Sequence, residues 1–296
     1  MTTDISASMR DVAEAVVAAM ADLTPPAPEP RGRVVEAMRY ACFAGGKRLR
    51  PFLLVSSADM FGCPRSRSMR AAAALEMIHS YSLVHDDLPA MDDADLRRGK
   101  PSAHKAFDEA TAILAGDGLL TLAFEVMADP ATHPDAQTRC AMISALAVAA
   151  GPAGMVGGQM IDLSDARLNL DLAGITELQN LKTGALIRYA CVAGGMIGGA
   201  DEEEVAALGG YAEDLGLAFQ IVDDLLDAFG TEEELGKPAG QDAEMDKATF
   251  VKLLGAEGAR DEADKLVTRA EARLDRFGEA AHPLRSVARF VLERTS

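Results

Sequence analysis

Two clusters of aspartates lie in stretches whose apolar residues are otherwise typical of buried helices. Their members are Asp86, Asp87 and Asp92 in the first cluster and Asp223, Asp224 and Asp227 in the second. Carboxylates held together on apolar helices repel one another and lose hydration, so they need a neutralising partner. Mg²⁺ suits this role because it binds through a few carboxylates and keeps positions open for phosphate oxygens. The clusters therefore predict two facing acidic walls with metal and a phosphorylated ligand between them.

The spacing of the aspartates predicts how each wall is built. Asp223 and Asp227 are four residues apart and so share one face of a helix. Asp86 and Asp92 would point about 120° apart on an ideal helix. Pro89 disfavours helix at the residue before it, so we expect the helix to end there and Asp92 to fold back toward Asp86. The alternative for either cluster alone is a helix end with solvated charge.

Two basic turns lie close in sequence to the first acidic cluster. The segment GGKRLRP at residues 45–51 carries three cations, and the segment RRGKP follows the cluster at residues 97–101. Lys and Arg on such turns can grip a diphosphate, and Arg can contact it in a bidentate manner. The alternative for each segment alone is an ordinary solvated turn. Alternating acidic and basic motifs favour two diphosphates, one on metal and one on Lys and Arg.

The composition favours a helical protein that binds small anions locally. The chain has 296 residues, of which 49% are apolar and 5% aromatic, and it contains no Trp. No low-complexity linker divides it, so we expect one domain over residues 1–296, built from helices packed on helices. The net charge of −17 argues against nucleic acid as a partner.

The cysteines and the apolar segments of the sequence indicate the cellular compartment of the protein. The cysteines are scattered, at Cys42, Cys63, Cys140 and Cys191. They predict reduced, mostly buried thiols in a cytoplasmic protein. The N-terminus carries charges and no apolar leader, so no signal peptide is expected. Glycines and Pro152 interrupt the uncharged run at residues 140–161, which predicts a core helix with a bend and no membrane insertion.

Apolar periodicity and the positions of Gly and Pro predict helices throughout the chain. The predicted helices cover residues 4–22, 31–43, 52–61, 65–88, 107–128, 135–150, 153–167, 175–197 and 201–229, with two or three more after residue 247. A kink is expected at residues 182–184, and loops are expected at residues 92–101 and 230–247. The sequence shows no alternating strand pattern, so the predicted fold class is all-α.

Six motifs together resemble the trans-isoprenyl diphosphate synthases (the polyprenyl synthetase family), and within them the bacterial farnesyl diphosphate synthase type. The motifs are GGKRLRP (45–51), IHSYSLVHDDLPAMDDADLRRGKP (78–101), GGQMIDL (157–163), KTG (182–184), FQIVDDLLD (219–227) and GKPAGQD (236–242). The match spans nearly the whole chain, and its departures are Gly118 in LAGDGLL and the alanine-rich AGQDAEMDKATF. The resemblance implies a single-domain bundle of about ten or more helices around a central cavity, and a homodimer.

The resemblance also implies roles for residues within these motifs. Mg²⁺, three ions per active site with Mn²⁺ as a substitute, is implied at Asp86, Asp87, Asp92, Asp223, Asp224 and Asp227. Isopentenyl diphosphate is implied at Lys47, Arg50, His79 and Arg98. The allylic diphosphate is implied at Arg97, Lys182, Lys237 and Lys247. Catalytic positions beside the reacting carbon are implied at Lys182, Thr183 and Gln220.

The implied activity is prenyl transfer from an allylic diphosphate to isopentenyl diphosphate. Loss of diphosphate needs charge neutralisation, and the resulting cation needs an apolar tunnel without water. Coupling is head to tail (1′-4), from dimethylallyl and then geranyl diphosphate, and ends at farnesyl diphosphate. In this family, bulk at the fourth and fifth positions before the first aspartate cluster limits chain length. Ser82 and Tyr81 stand there and imply a C15 product, with geranylgeranyl or geranyl diphosphate as the alternatives.

Histidines in the sequence support other functions as well. Glu76 and His79, like Glu279 and His282, have the ExxH spacing that is typical of di-iron carboxylate bundles. The pair His85 and Asp86 is typical of all-α metal-dependent phosphohydrolases. A lone helical His is most often a core residue, and a non-catalytic homologue is a further alternative. Neither the di-iron hypothesis nor the phosphohydrolase hypothesis explains the basic turns or the second aspartate cluster.

Overall fold

Helices account for nearly all of the regular structure. The computed structural model describes residues 5–229 and 249–293, except for the side chains of residues 166 and 167. Its first helices are α1 (Ile5–Leu23), α2 (Gly32–Cys42), α3 (Leu49–Asp59), α4 (Arg65–Asp86), α5 (Ala103–Ala106), α6 (Glu109–Ala128) and α7 (Ala136–Ala150). The others are α8 (Met155–Leu163), α9 (Leu172–Gln179), α10 (Ala185–Gly198), α11 (Glu202–Phe229), α12 (Phe250–Arg273) and α13 (His282–Glu293). The predicted all-α bundle of about ten or more helices is confirmed.

Short irregular segments interrupt the helices at positions that matter for the site. The kink expected at residues 182–184 is a single π-helical turn, Asn180–Gly184. The helix predicted over residues 153–167 ends earlier, at Leu163, and a 3₁₀ turn follows at Asp165–Asn169. The loop at residues 92–101 contains a two-residue antiparallel ribbon, β1 (Leu96–Arg97) with β2 (Lys100–Pro101). Two residues are too few to produce a recognisable alternation in the sequence, so this ribbon was not predictable from pattern.

Side-chain caps explain where several helices begin. Asp108 accepts a hydrogen bond from the Thr111 amide at the start of α6, and Asp135 does the same for α7. At the start of α11, Asp201 and Glu204 form a capping box. The Asp201 amide donates to Glu204 and the Glu204 amide donates to Asp201, both at 2.8 Å. Caps of this kind satisfy amides that have no partner within the helix.

α4 is the central helix, and it carries the first aspartate cluster at its end. It packs on α6, α3 and α1, while α10 packs on α3 and α11 packs on α12. Residues 71–75 of α4 are completely buried, which fixes the position of Asp86 at the C-terminal end. One hydrophobic core joins residues from α1 to α13. A single domain over residues 1–296 stays a prediction.

Two helical stretches, Glu109–Ala128 and Ala136–Leu163, are long and apolar enough to cross a membrane by length and composition alone. This is weak evidence, because core helices of soluble proteins pass the same test. The cysteines are free, and all but Cys140 are buried, so the prediction of mostly buried thiols is confirmed.

Candidate functional site

The end of α4 builds the first acidic wall. The helix ends at Asp86, and the chain turns back so that the Asp92 amide donates to the Asp86 carbonyl at 2.9 Å. The Ala94 amide likewise donates to the Asp87 carbonyl at 3.2 Å. The turn contains Pro89, which has no amide hydrogen with which to continue the helical pattern. The predicted return of Asp92 toward Asp86 is confirmed.

Asp87 is buried and bound to Arg97 in the basic turn that follows. The Arg97 Nε lies 3.0 Å from Asp87 Oδ1 and 3.3 Å from Oδ2, and a terminal nitrogen of Arg97 also donates to Oδ1. This paired geometry is the strong form of Arg–carboxylate contact. It ties the basic turn to the acidic wall, so that one predicted metal ligand and one predicted diphosphate ligand contact each other directly.

Asp86 is half-buried and faces α8 and the π turn. Its carboxylate accepts a hydrogen bond from Gln159 on α8. Burial raises the pKa of Asp86 to about 6, the Asp92 charge adds to this rise, and the Lys182 ammonium opposes it. The carboxylate therefore lies where additional positive charge would stabilise its ionised form.

The π turn brings Lys182 to this wall. Lys182 Nζ lies 2.6 Å from the buried Asp162 carboxylate of α8. α8 approaches the turn closely because Gly158 has no side chain: a Cβ there would lie 2.7 Å from the Lys182 Cα. The sequence motifs assigned no function to Gln159 or Asp162. Their spacing of three residues within GGQMIDL puts both on one helix face, and this spacing was the feature that could have identified them as site residues.

α11 carries the second acidic wall. Asp224 and Asp227 are buried, and Asp223 is half-buried. The Asp224 carboxylate accepts the Phe250 amide at 2.8 Å, so this residue anchors the start of α12. Burial lowers the pKa of Arg50, and the charges of Glu76 and Asp223 oppose this lowering. Asp223 is therefore near enough to Arg50, at the start of α3, to interact with it electrostatically.

The predicted ligands of one diphosphate come together in a basic cavity of about 310 Å³. Lys47, Arg50, His79 and Arg98 all line it. His79 Nε2 lies 3.3 Å from an Arg50 terminal nitrogen. Burial, followed by the charges of Arg50 and Arg98, lowers the pKa of His79 well below its usual value. The imidazole is therefore neutral and can accept a hydrogen bond from Arg50.

A buried ion pair supports this basic cavity. Arg48 donates to Glu76 at 2.5 Å and to the Cys42 carbonyl, and both charged side chains are at most 2% exposed. The ExxH spacing indicated Glu76 as an iron ligand beside His79, but in the structure Glu76 pairs with Arg48. Within residues 5–229 and 249–293, no three His, Cys, Asp or Glu side chains converge as a ready metal site.

An apolar cavity of about 390 Å³ adjoins the basic one and shares Arg50 and His79 with it. Asp86, Lys182 and Thr183 line its polar end. Tyr81 and Ser82 line it as well, together with apolar side chains of the loop and α8, which are Met91, Met155, Val156, Met160 and Leu163. An apolar space with polar groups at one end suits a ligand with a charged head and a hydrocarbon tail.

Three predicted site residues remain, Gln220, Lys237 and Lys247. Gln220 is half-buried on α11, next to Phe219, which lines the basic cavity. Lys237 and Lys247, with the GKPAGQD motif, lie outside the described residues.

The acidic side chains suit Mg²⁺ by their chemistry. The donors are carboxylate oxygens, which hard divalent cations prefer, and Asp86 lies where positive charge would stabilise it. Because Mg²⁺ keeps several positions for water and phosphate, it does not require a preformed cage of protein ligands.

Comparison with known proteins gives the same family assignment over most of the chain. Residues 32–281 match the family model described as Polyprenyl synthetase. The chain is 46% identical to Geranylgeranyl pyrophosphate synthase 9, chloroplastic, of Arabidopsis thaliana, over 94% of this chain and 78% of that protein. It is 47% identical to farnesyl diphosphate synthase of Geobacillus stearothermophilus, over 81% of this chain and 80% of that protein.

A solved structure agrees with these relatives. The apo structure of an FPP/GFPP synthase from Zymomonas mobilis matches with a TM-score of 0.89 and 46% identity, covering 98% of this chain and all of that one. The two aspartate walls, the basic cavity and the apolar cavity all lie within the matched region. The chain belongs to the polyprenyl synthetase family of trans-prenyltransferases.

Proposed function

We propose that this protein condenses isopentenyl diphosphate with dimethylallyl and then geranyl diphosphate to form farnesyl diphosphate. Its family uses isopentenyl and allylic diphosphates as substrates. The observation that carries the proposal is the adjoining pair of cavities, one basic and one apolar, which meet at Arg50 and His79. Two diphosphates can be held apart by this arrangement while their reacting carbons are held together.

The basic cavity takes isopentenyl diphosphate in this proposal. Lys47, Arg50 and Arg98 supply charge, and neutral His79 orients Arg50. The allylic diphosphate binds at the mouth of the apolar cavity, with Arg97, Lys182, Lys237 and Lys247 as its cationic ligands. Asp162 and Asp87 hold two of these cations in position before substrate arrives. Thr183 and Gln220 flank the reacting carbon.

The two acidic walls supply the metal ligands in this proposal. Asp86, Asp87 and Asp92 on one wall and Asp223, Asp224 and Asp227 on the other would hold Mg²⁺, three ions in all with Mn²⁺ as a substitute. The metal, when bound, neutralises charge on the departing diphosphate. For Asp87 to contribute, Arg97 must move from its carboxylate to the diphosphate.

The apolar cavity protects the allylic cation. Its walls at Met91, Met155 and Leu163 are apolar and exclude water, so the cation meets the alkene of isopentenyl diphosphate before it meets water. Attack of that alkene forms the new 1′-4 bond, and loss of a proton restores the double bond in the product.

A C15 product is proposed because the bulky Tyr81 lies beside the small Ser82 in the cavity wall. A C20 product is the second candidate, because relatives of this chain are named geranylgeranyl pyrophosphate synthases. The test is to incubate the protein with isopentenyl diphosphate, each allylic diphosphate and Mg²⁺, and to measure product chain length. A parallel reaction with EDTA should give no product, and excess Mg²⁺ should restore it. Phosphate release without a new carbon–carbon bond would refute prenyl transfer.

We also propose a cytoplasmic homodimer. The two stretches that are apolar enough for a membrane carry exposed Ile113, Leu114 and Val148. A second copy of the chain would cover these side chains without membrane insertion.

A further inference from the structure

His85 lies wedged between α6 and the wall of the apolar cavity. Its Nε2 donates to the Ile113 carbonyl on α6 at 3.1 Å. The ring also presses against Gly116: a Cβ built there would overlap Nε2 and lie 2.8 Å from Cε1. Only glycine therefore allows α6 to approach His85 this closely.

The other side of the His85 ring contacts Tyr81. The two rings are 5.7 Å apart between centroids and meet edge to face at 77°. Both residues line the apolar cavity, and they lie one helical turn apart on α4. The backbone of α6, His85 and Tyr81 thus form a continuous row of contacts that ends at the cavity wall.

We propose that Gly116 and His85 determine the depth of the apolar cavity, and hence the longest hydrocarbon tail that the enzyme accepts. α6 limits how far His85 can retreat, and His85 in turn keeps Tyr81 in the wall. This proposal rests on the proposed function, since it assigns specificity to the same cavity. The proposal concerns how the two residues limit tail length, and it holds whether the wild-type protein makes a C15 or a C20 product.

The direction of each effect follows from where space is available. A methyl group at Gly116 forces the His85 ring away from α6, and the open space next to the ring is the apolar cavity. Gly116→Ala should therefore shorten the product. Removing the ring in His85→Ala leaves room behind Tyr81, so Tyr81 can retreat and the product should lengthen.

The matched control is Gly118→Ala, on the same helix two residues away. A Cβ at Gly118 would lie 2.9 Å from the Sδ of Met38, a flexible side chain on α2 that does not line the apolar cavity. Gly118→Ala should leave the product distribution as in the wild type. Gly116→Ala should raise the ratio of shorter to longer product by about tenfold, the low end of what one carbon in an apolar pocket discriminates.

A double variant tests whether the effect passes through His85. In His85→Ala/Gly116→Ala, no ring remains to be displaced, so the shortening caused by Gly116→Ala should vanish. A shortening of the same size in that background would overturn the proposal. So would an equal shift in Gly118→Ala, or a lower Tm of Gly116→Ala with an unchanged product distribution.

Binding provides a readout that does not depend on turnover. Farnesyl diphosphate should stabilise Gly116→Ala against heat less than it stabilises the wild type, whereas dimethylallyl diphosphate should stabilise both equally. If the wild type forms no prenyl product, the proposed function fails while this comparison still decides the role of Gly116. If Gly116→Ala does not fold, an unchanged product length in His85→Ala overturns the proposal.

Discussion

Asp86, at the end of α4, has both positively and negatively charged neighbours. Gln159 donates to it and Lys182 opposes the pKa rise caused by burial and by Asp92. A carboxylate in these surroundings is well placed to bind a cation that a substrate brings with it, and poorly placed to serve structure alone.

Removal of one aspartate from either wall should reduce turnover. Asp86→Ala and Asp223→Ala should each lower kcat at least about 100-fold, because each loses a ligand of the charge-stabilising metal. Asp95→Ala is the control, since this exposed carboxylate pairs with Lys105 on the surface. Steady-state kinetics with excess Mg²⁺ measures the effect. Near-normal kcat in either wall variant would show that the wall is assigned wrongly.

The two diphosphate subsites should separate by mutation. Lys47→Ala should raise the KM for isopentenyl diphosphate by an amount equivalent to roughly 1.5–3 kcal/mol, the usual contribution of a charged hydrogen bond. Arg97→Ala should instead raise the KM for the allylic substrate, and it should also lower Tm because Asp87 stays buried without its partner. Equal changes for both substrates in both variants would contradict this division.

Tyr81 should limit chain length by its bulk. Tyr81→Ala removes a large, buried ring from the cavity wall, so elongation should continue past C15. Ser82→Phe fills the same space and should stop the chain at C10, since close-packed walls do not yield without cost. Chromatography of the products checks both variants, and neither should lose its Mg²⁺ requirement. If Tyr81→Ala lowers Tm but still gives C15, the ring serves packing alone.

At the scale of elements, one buried ion pair joins the start of α3 to α4. Arg48 has φ 50°, a left-handed conformation that is uncommon for residues other than glycine, and it contacts both Glu76 and the end of α2. Lys47 and Arg50 flank Arg48 in sequence. The pair therefore holds the basic turn against the central helix in the shape that the basic cavity requires.

Breaking this pair should affect both stability and substrate binding. Arg48→Met should cost about 3–5 kcal/mol in the free energy of unfolding, because Glu76 stays buried without a partner. The double variant Arg48→Met/Glu76→Leu should recover most of that loss, yet its KM for isopentenyl diphosphate should stay high. Urea unfolding and kinetics separate the two effects.

The exposed pair Arg65–Asp59 is the control for this experiment, with side chains 50% and 46% exposed. Arg65→Met should cost less than about 1 kcal/mol, as is usual for surface pairs. If the double variant binds isopentenyl diphosphate normally, the buried pair serves stability and has no part in shaping the basic turn.

At the scale of the molecule, charge and apolar surface are distributed unevenly. The chain carries −17 overall, yet Arg48, Arg50, Arg97 and Arg98 cluster near His79. An anionic substrate is therefore attracted locally, to the part of the surface where these cations lie. Of the ten large apolar side chains that are exposed in the described part of the chain, five lie on α6, α7 and α8.

We expect a mass in solution twice the 31.2 kDa of one chain. Leu114→Glu with Val148→Glu should convert the dimer to monomer, because two charges would be buried in the apolar contact. Leu253→Glu on α12 is the matched control, since Leu253 is also an exposed apolar residue but lies on a different helix. Light scattering after size exclusion measures the mass. A dimer that survives both charges would place the contact elsewhere.

The sequence by itself determined the features that depend on neighbouring residues. Helical periodicity predicted the all-α class, and Pro89 predicted that Asp92 folds back toward Asp86. Gly184 in the KTG motif marked the irregular turn. Local sterics and hydrogen bonding decide such features within a few residues, so they can be read without knowledge of packing. The basic residues of one cavity were also predictable, because they stand in two compact motifs.

Only the tertiary structure decided which residues meet across the bundle. Gln159 reaches Asp86 over 73 positions of sequence, and Arg48 reaches Glu76 over 28. The contact of His85 with Gly116 depends on how closely α6 approaches α4. Such contacts follow from helix packing, in which a shift of one side chain changes the neighbours of many. The depth of the apolar cavity is a property of this packing, which is why motifs alone predict prenyl transfer more firmly than they predict product length.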